Sequence, residues 1–436
     1  MSKRNLRKTF VLSMVAVLVM ASLIVGCGKT TSTQTTGQSS SNKQVTINFM
    51  ADTRSELDKM TELLPDFEKQ TGIKVNYMKL QETPLRAKLG LEVSAPSTEV
   101  DVVMTDFMFL NKYAKASYLE PLDKYLEASG TFNKDNYMKP FIEAVSYNNQ
   151  IYGVPLYQDS NILVYRADLY KKYNLQVPKT FAELEQNAKI IKENEPGMSG
   201  IVMRGQRGYG VNEWTWPTFL EGFGGSYLSP DGKSGNLNSP EAIKALTYYG
   251  DILKKYGPSG VANYSYVEVQ NDLMQGKAGM FIDSATLAVR CEDPKVSTVA
   301  GKLGYAMVPG DKTVAPGFYS WTLAVPKNSK NKEAAGKFIA WLTSPDIAAK
   351  VGWSAPNQAL EKVYNIPAYP GTEPLINVMK ESLKFANADY RPRIPEADQV
   401  GTAVSVAISS VLDGSKSPAN ALKEANDSVN KILQGK

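Results

Sequence analysis

From residue 44 onward the chain alternates between two spacings of apolar residues. "QVTINFMAD" (44–52) alternates apolar and polar positions and is β-branched, which predicts a strand ending at Asp52. Leu57, Met60, Leu63, Leu64 and Phe67 then recur at helical spacing, and Gly72 closes that helix. "IKVNYMKL" predicts a second strand, "TPLRAKLGLEVSA" a second helix and "VDVVMTD" (100–106) a third strand. A β-α-β-α-β opening predicts an α/β lobe with a largely parallel sheet. In such sheets ligands sit beyond the carboxyl ends of the strands. Asp52, Gln81, Glu82, Asp106 and Phe107 fall at those ends.

Further along, Gly153 and Pro155 break the pattern, and "NILVYRADLY" reads as a strand running into a helix, as at a crossover between lobes. Thr180 and Glu183 form a capping box ahead of an amphipathic helix. "GIVMRG" predicts a strand, "SPEAIKALTYYGDILKKYG" a capped helix and "KAGMFIDS" a strand. "KLGYAMVPG" is expected to return the chain to the first lobe. "WTLAVPKNSKNKEAAGKFIAWLTSPD" reads strand, turn, helix, and Gln399 to Leu433 is mostly helical with a turn at 414–417.

The first 44 residues follow neither spacing. "MSKRNLRK" carries four cations and no acid, and 17 largely apolar residues follow. That run spans about 25 Å as a helix, short for a membrane span of about 20 residues, and it has the form of an export signal over 1–26. Leu23 to Cys27 resembles a bacterial lipobox, which implies a lipid on Cys27. Residues 27–44, rich in Gly, Ser, Thr and Gln, would then be a flexible tether. The 392 residues from Val45 are more than one core usually covers, so two lobes are expected.

Composition narrows the chemistry. The formal charge is +5, near +1 once the signal cations leave, which gives no nucleic-acid footprint. The chain has no histidine, which excludes Ser-His-Asp and Cys-His hydrolases and His-ligated metals. With Cys27 lipidated, Cys291 is left without a disulfide partner and is expected as a small buried residue. No metal or cofactor is implied. Carboxylate-pair glycoside chemistry survives these exclusions.

Several stretches, in order, resemble the extracellular solute-binding proteins of ABC sugar importers, the maltose-binding type, and within them the sorbitol/mannitol binders. They are "LQETPLR", "IYGVPLYQDSNILVYRADLY", "MRGQRGYG", "YGPSG", "QGKAGMFID", "KLGYAMVPG" and "SWTLAVPKNSKNKEAAGKFIAWLTS". The resemblance implies an α/β, two-lobed clamp with about three crossovers, near residues 158, 304 and 360. Lobe 1 would be 45–158 with 305–358, and lobe 2 would be 159–304 with 359–436. It implies a monomer, lipid-anchored at the outer face of a monoderm cell membrane, that passes a sugar, polyol or short oligosaccharide to an ABC permease without catalysis. A secreted carboxylate-dependent glycosidase or lyase, and a sensory lipoprotein of the same fold, are the competing readings.

Such a ligand needs aromatic faces for its C–H groups and charged or amide groups for its hydroxyls. Asp106, Glu82 and Asp159 are candidate hydroxyl partners at strand ends or the first crossover, with Tyr157 beside Asp159 as a stacking face. Arg204 precedes a Gly-rich loop. Of Trp214 and Trp216, two apart and read as on a strand, at most one (Trp214) should face the cleft. Asp283 ends a strand, Tyr319 and Trp321 lie in "PGFYSWTL", and Arg393 lies in the Pro-flanked "YRPRIPEAD". The tail lacks the tryptophan with which maltose-type binders stack on a glucosyl ring, which favours a compact ligand.

Overall fold

The computed structural model describes residues 44–351, 373–385, 387 and 389–435. The signal, the tether with Cys27 and the crossover expected near 360 lie outside these residues. The first three predicted strands form as read: β1 (Val45–Asp52), β2 (Ile73–Leu80) and β3 (Val102–Asp106). β1 pairs in parallel with β2 from Val45↔Ile73 to Asp52↔Leu80, and with β3 on its other edge. The Ser55–Thr71 helix joins the first two and stops at Gly72, whose φ of 70° only glycine adopts at no cost and whose N–H closes on Glu68 O.

A small hairpin follows, β4 (Ser146–Tyr147) and β5 (Gln150–Ile151), turned by Asn148 and Asn149 at positive φ. β6 (Val154–Asp159) then enters the first sheet. β7 (Asn161–Arg166) begins one residue later in a different sheet, which it shares with β8 (Met280–Ser284) and β9 (Leu303–Ala306). β10 (Tyr319–Ala324) returns to the first sheet, antiparallel to both β3 and β6. The two sheets are ordered β2-β1-β3-β10-β6 and β8-β7-β9. The first is therefore mixed rather than purely parallel, and the second is antiparallel. Each sheet is flanked by helices, so the fold is a two-lobed α/β clamp.

Three expectations shift. β9 pairs with β7, and Ala306 and Val308 pack in the second lobe's core, so the chain returns after Val308 rather than at 304. "GIVMRG" makes only an isolated bridge, Val202↔Phe281, because its N–H groups go separately to Tyr256 O, Met280 O and Tyr264 O. Residues Asn212–Gly222 are a helix, not a strand. On a helix, positions two apart still point about 200° apart. Trp216 is accordingly fully buried against Tyr227 in the second core, while Trp214 faces Tyr319. The Thr180 capping box forms as expected, and Cys291 is buried, its thiol donating to Leu287 O.

Candidate ligand-binding cleft

The strand ends of both sheets converge. β1, β3, β6 and β8 finish in or beside Asp52, Asp106, Asp159 and Asp283, and antiparallel β10 begins at this edge with Tyr319. Register places Tyr319 beside Asp159, and Trp321 between Asp106 and Tyr157. Between the lobes lies a small cavity of about 50 Å³. The lobes also touch elsewhere: the Phe109 and Tyr209 rings lie with centroids 5.5 Å apart, and Lys112 reaches Asp398 at 3.8 Å.

Four arginines line this cavity, each backed by a carboxylate. Arg54 Nε lies 3.2 Å from Asp52, and its guanidinium covers the Tyr157 ring at 4.9 Å. Arg86 reaches Asp106 (3.0 Å), Glu82 (3.1 Å) and the Tyr319 hydroxyl (2.9 Å) while lying over Trp321 at 4.8 Å. Arg204 donates to both oxygens of Asp283 at 2.6–3.0 Å. Arg391 donates to Glu213 at 3.1 Å and lies over Tyr209, Trp214 and Tyr319. Burial raises the Glu213 carboxyl above its usual range, against the opposing charge of Arg391. Gly210 accepts from Arg204 Nη1. Its φ is 76°, and a Cβ there would come within 3.3 Å of Arg86, so no larger residue fits unstrained.

Glu82, Asp159, Arg204, Trp214, Tyr319 and Trp321 line the cavity. Asp106, Tyr157 and Asp283 stand one layer behind, under Arg86, Arg54 and Arg204 respectively. Arg393 is turned outward to Asp389 at 2.7 Å. Arg391, two residues earlier, is 2% exposed and takes the cavity position instead. Sequence reading also passed over Arg54, Arg86, Tyr266 and Thr286. Arg54 carried a usable signal, standing two residues beyond a strand end. Among the described residues, Trp214 Nε1 and Arg391 Nε and Nη2 are buried donors without a hydrogen-bond acceptor, and both residues face the cavity. Burying such donors costs free energy unless an acceptor completes them.

Asp159 is a buried carboxyl on the cavity wall. It accepts from Ser160 N (3.0 Å) and from the Thr286 hydroxyl across the cleft (3.0 Å). Burial pushes its pKa up to about 6, opposed by the Thr286 and Ser284 hydrogen bonds and the charge of Arg54. A carboxyl raised in the folded state holds its proton longer there than when unfolded. Its contribution to stability is fully present below about pH 4 and is lost as pH rises through about 6. A ligand hydroxyl donating to Asp159 favours the ionised form. Ligand affinity should therefore rise about tenfold from pH 5 to 7, and Asp159→Asn should flatten that profile. Calorimetric titration at three pH values checks this; equal slopes in both proteins would remove Asp159 from the ligand.

A cavity walled by paired charges and aromatic faces, between two α/β lobes, is the site of a small-molecule receptor. Residues 51–349 match the family model described as bacterial extracellular solute-binding protein, and the chain belongs to that family. A mannitol-binding protein of Pseudomonas aeruginosa is 26% identical over 411 residues, 88% of this chain and 92% of its own. An ABC transporter solute-binding protein from Agrobacterium vitis, solved with bound D-mannitol, superposes with a TM-score of 0.82 at 29% identity, covering 89% of this chain and 98% of that one. Another from Agrobacterium radiobacter, in complex with ribitol, gives 0.82 at 28% identity with the same coverage. The family resemblance and the two-lobed clamp fold read from the sequence are thus borne out. No helix among the described residues is long and apolar enough to cross a membrane.

Proposed function

We propose that this chain captures a neutral, compact polyol or monosaccharide and delivers it unchanged to an ABC permease, held at the outer face of the membrane by a lipid on Cys27. The carrying observation is the pairing of every cavity arginine with a carboxylate. Among the described residues, the wall is rich in directional donors and acceptors yet has no excess positive charge to favour an anion. Trp214, Tyr319 and Trp321 supply faces for C–H groups, and the relatives' mannitol and ribitol support the class. Glu82, Asp159, Arg204, Arg391, Trp214 and Trp321 are the contacts this reading assigns, with Asp106, Asp283 and Tyr157 positioning the arginines. The lobes act as a monomeric clamp, turning about the segments that join the two sheets, and the ligand drives closure by binding the closed form more tightly.

A thermal-shift panel of hexitols, pentitols, hexoses, disaccharides and amino acids tests the reading. Ligand at about 100 times its Kd adds about 2.7 kcal/mol of stability. Stabilisation by one stereochemical group of polyols, with the ligand recovered intact, is expected. Stabilisation by amino acids or sugar acids alone would sink the neutral-polyol assignment.

A further inference from the structure

The first lobe has another groove at the opposite end of its sheet from the cavity. Val45 opens β1 there, while Asp52 and Arg54 stand at the cavity end. At about 3.3 Å per residue, the strand separates the two by about 23 Å. Lys124, Lys330, Lys332 and Lys337 line the groove, and Lys327 stands beside them. The acids here are Glu333 and the nearly buried Glu120, which Lys327 (2.8 Å), Lys332 (3.1 Å) and Lys124 (3.8 Å) share. Counting also the buried Asp101, which accepts from Ser329 and Asn331 of the groove, five lysines face three carboxylates among the described residues. Among the described residues Lys330 and Lys337 are exposed and make no ion pair. This excess of charge sits where the described chain begins, at Gln44 and Val45.

We propose that this groove is a contact surface for an anionic lipid bilayer, and that it holds the anchored protein with its ligand cavity turned away from the membrane. The inference rests on the reading of Cys27 as lipidated. A lipid on Cys27, separated from Val45 by 17 residues, ties the body to the membrane but does not by itself select which face meets it. A cluster of lysines within a Debye length of lipid phosphates does select a face. In this orientation the cavity collects solute from outside. Delivery then requires the contact to break and the body to turn over.

The test uses the lipidated mature chain in vesicles of phosphatidylcholine, with or without phosphatidylglycerol, and reads amine-labelling rates by mass spectrometry. On anionic vesicles Lys124, Lys330 and Lys337 should label about threefold or more slowly, and about 0.5 M salt should restore the rates. Lys189 and Lys255, on helices of the second lobe, should not change. Lys330→Glu combined with Lys337→Glu should restore labelling at Lys124, while Lys327 and Lys332 still neutralise Glu120. Equal rates on both vesicle types, or uniform slowing at every lysine, would overturn the surface. An N-terminal peptide without lipid mass at Cys27 would instead refute the anchor, and the proposal would fall with it.

Discussion

Asp283→Ala should destabilise the protein by about 3–5 kcal/mol, because it strands a buried guanidinium. Asp283 is fully buried and receives three short hydrogen bonds from Arg204, itself 6% exposed. Among the described residues, its remaining hydrogen bonds go to Gly210 O and Ser284 Oγ, not to a second carboxylate. Replacing the pair together, Arg204→Met with Asp283→Leu, should recover most of the loss, since a buried ion pair adds little over apolar residues of similar volume. The double variant should still fail to bind ligand, because Arg204 lines the cavity. Urea denaturation and calorimetry separate the two effects. A single variant as stable as the parent would show that water reaches Arg204.

Arg391→Met should weaken ligand binding about 10–150-fold, the loss of one hydrogen bond from a charged donor worth about 1.5–3 kcal/mol. The cost in stability should be smaller than for Asp283→Ala. Glu213 would be left without its cation, but its raised pKa lets it take up a proton, and Tyr227 (3.0 Å) and Gly210 N (3.2 Å) still bond to it. Asp106 keeps Arg86. Isothermal titration against the solute found in the thermal panel measures the first effect. Unaltered affinity would make Arg391 a packing residue only.

The fold was legible where one period persists for a whole element. β1 to β3 and the helices between them follow directly from residues 44–106, and Thr180 with Glu183 marks a helix start by residue type and spacing alone. It was not legible where backbone partners are distant in sequence. "GIVMRG" has the composition of a strand, but Gly200 and Gly205 press so close to Ala188 O and Val261 O that a Cβ would overlap them, and no ladder forms. At the site, strand ends pointed to the right edge of the sheet. What they could not give was layer order. Asp106 and Arg86 are both near strand ends, yet only the packing of Trp321 and Tyr319 shows that the arginine faces the cavity and the aspartate supports it. Arg391 and Arg393 are two residues apart in one Pro-flanked loop, and sequence offers no means to tell the buried one from the exposed one.

The join between β6 and β7 is a single residue, Ser160. In the proposed clamp, points near the pivot travel least when the lobes swing, so Asp159, next to Ser160, should shift less than residues farther along either lobe. On the proposed ligand assignment, Asp159 would meet an arriving solute before closure, whereas Arg204 and Tyr266, lining the cavity from the other lobe, would complete the cage only afterwards. Association and dissociation should therefore be written in different residues. Stopped-flow kinetics should find Asp159→Asn slowing capture and Tyr266→Ala shortening residence, so that the rate of scavenging and the duration of hold can be tuned independently.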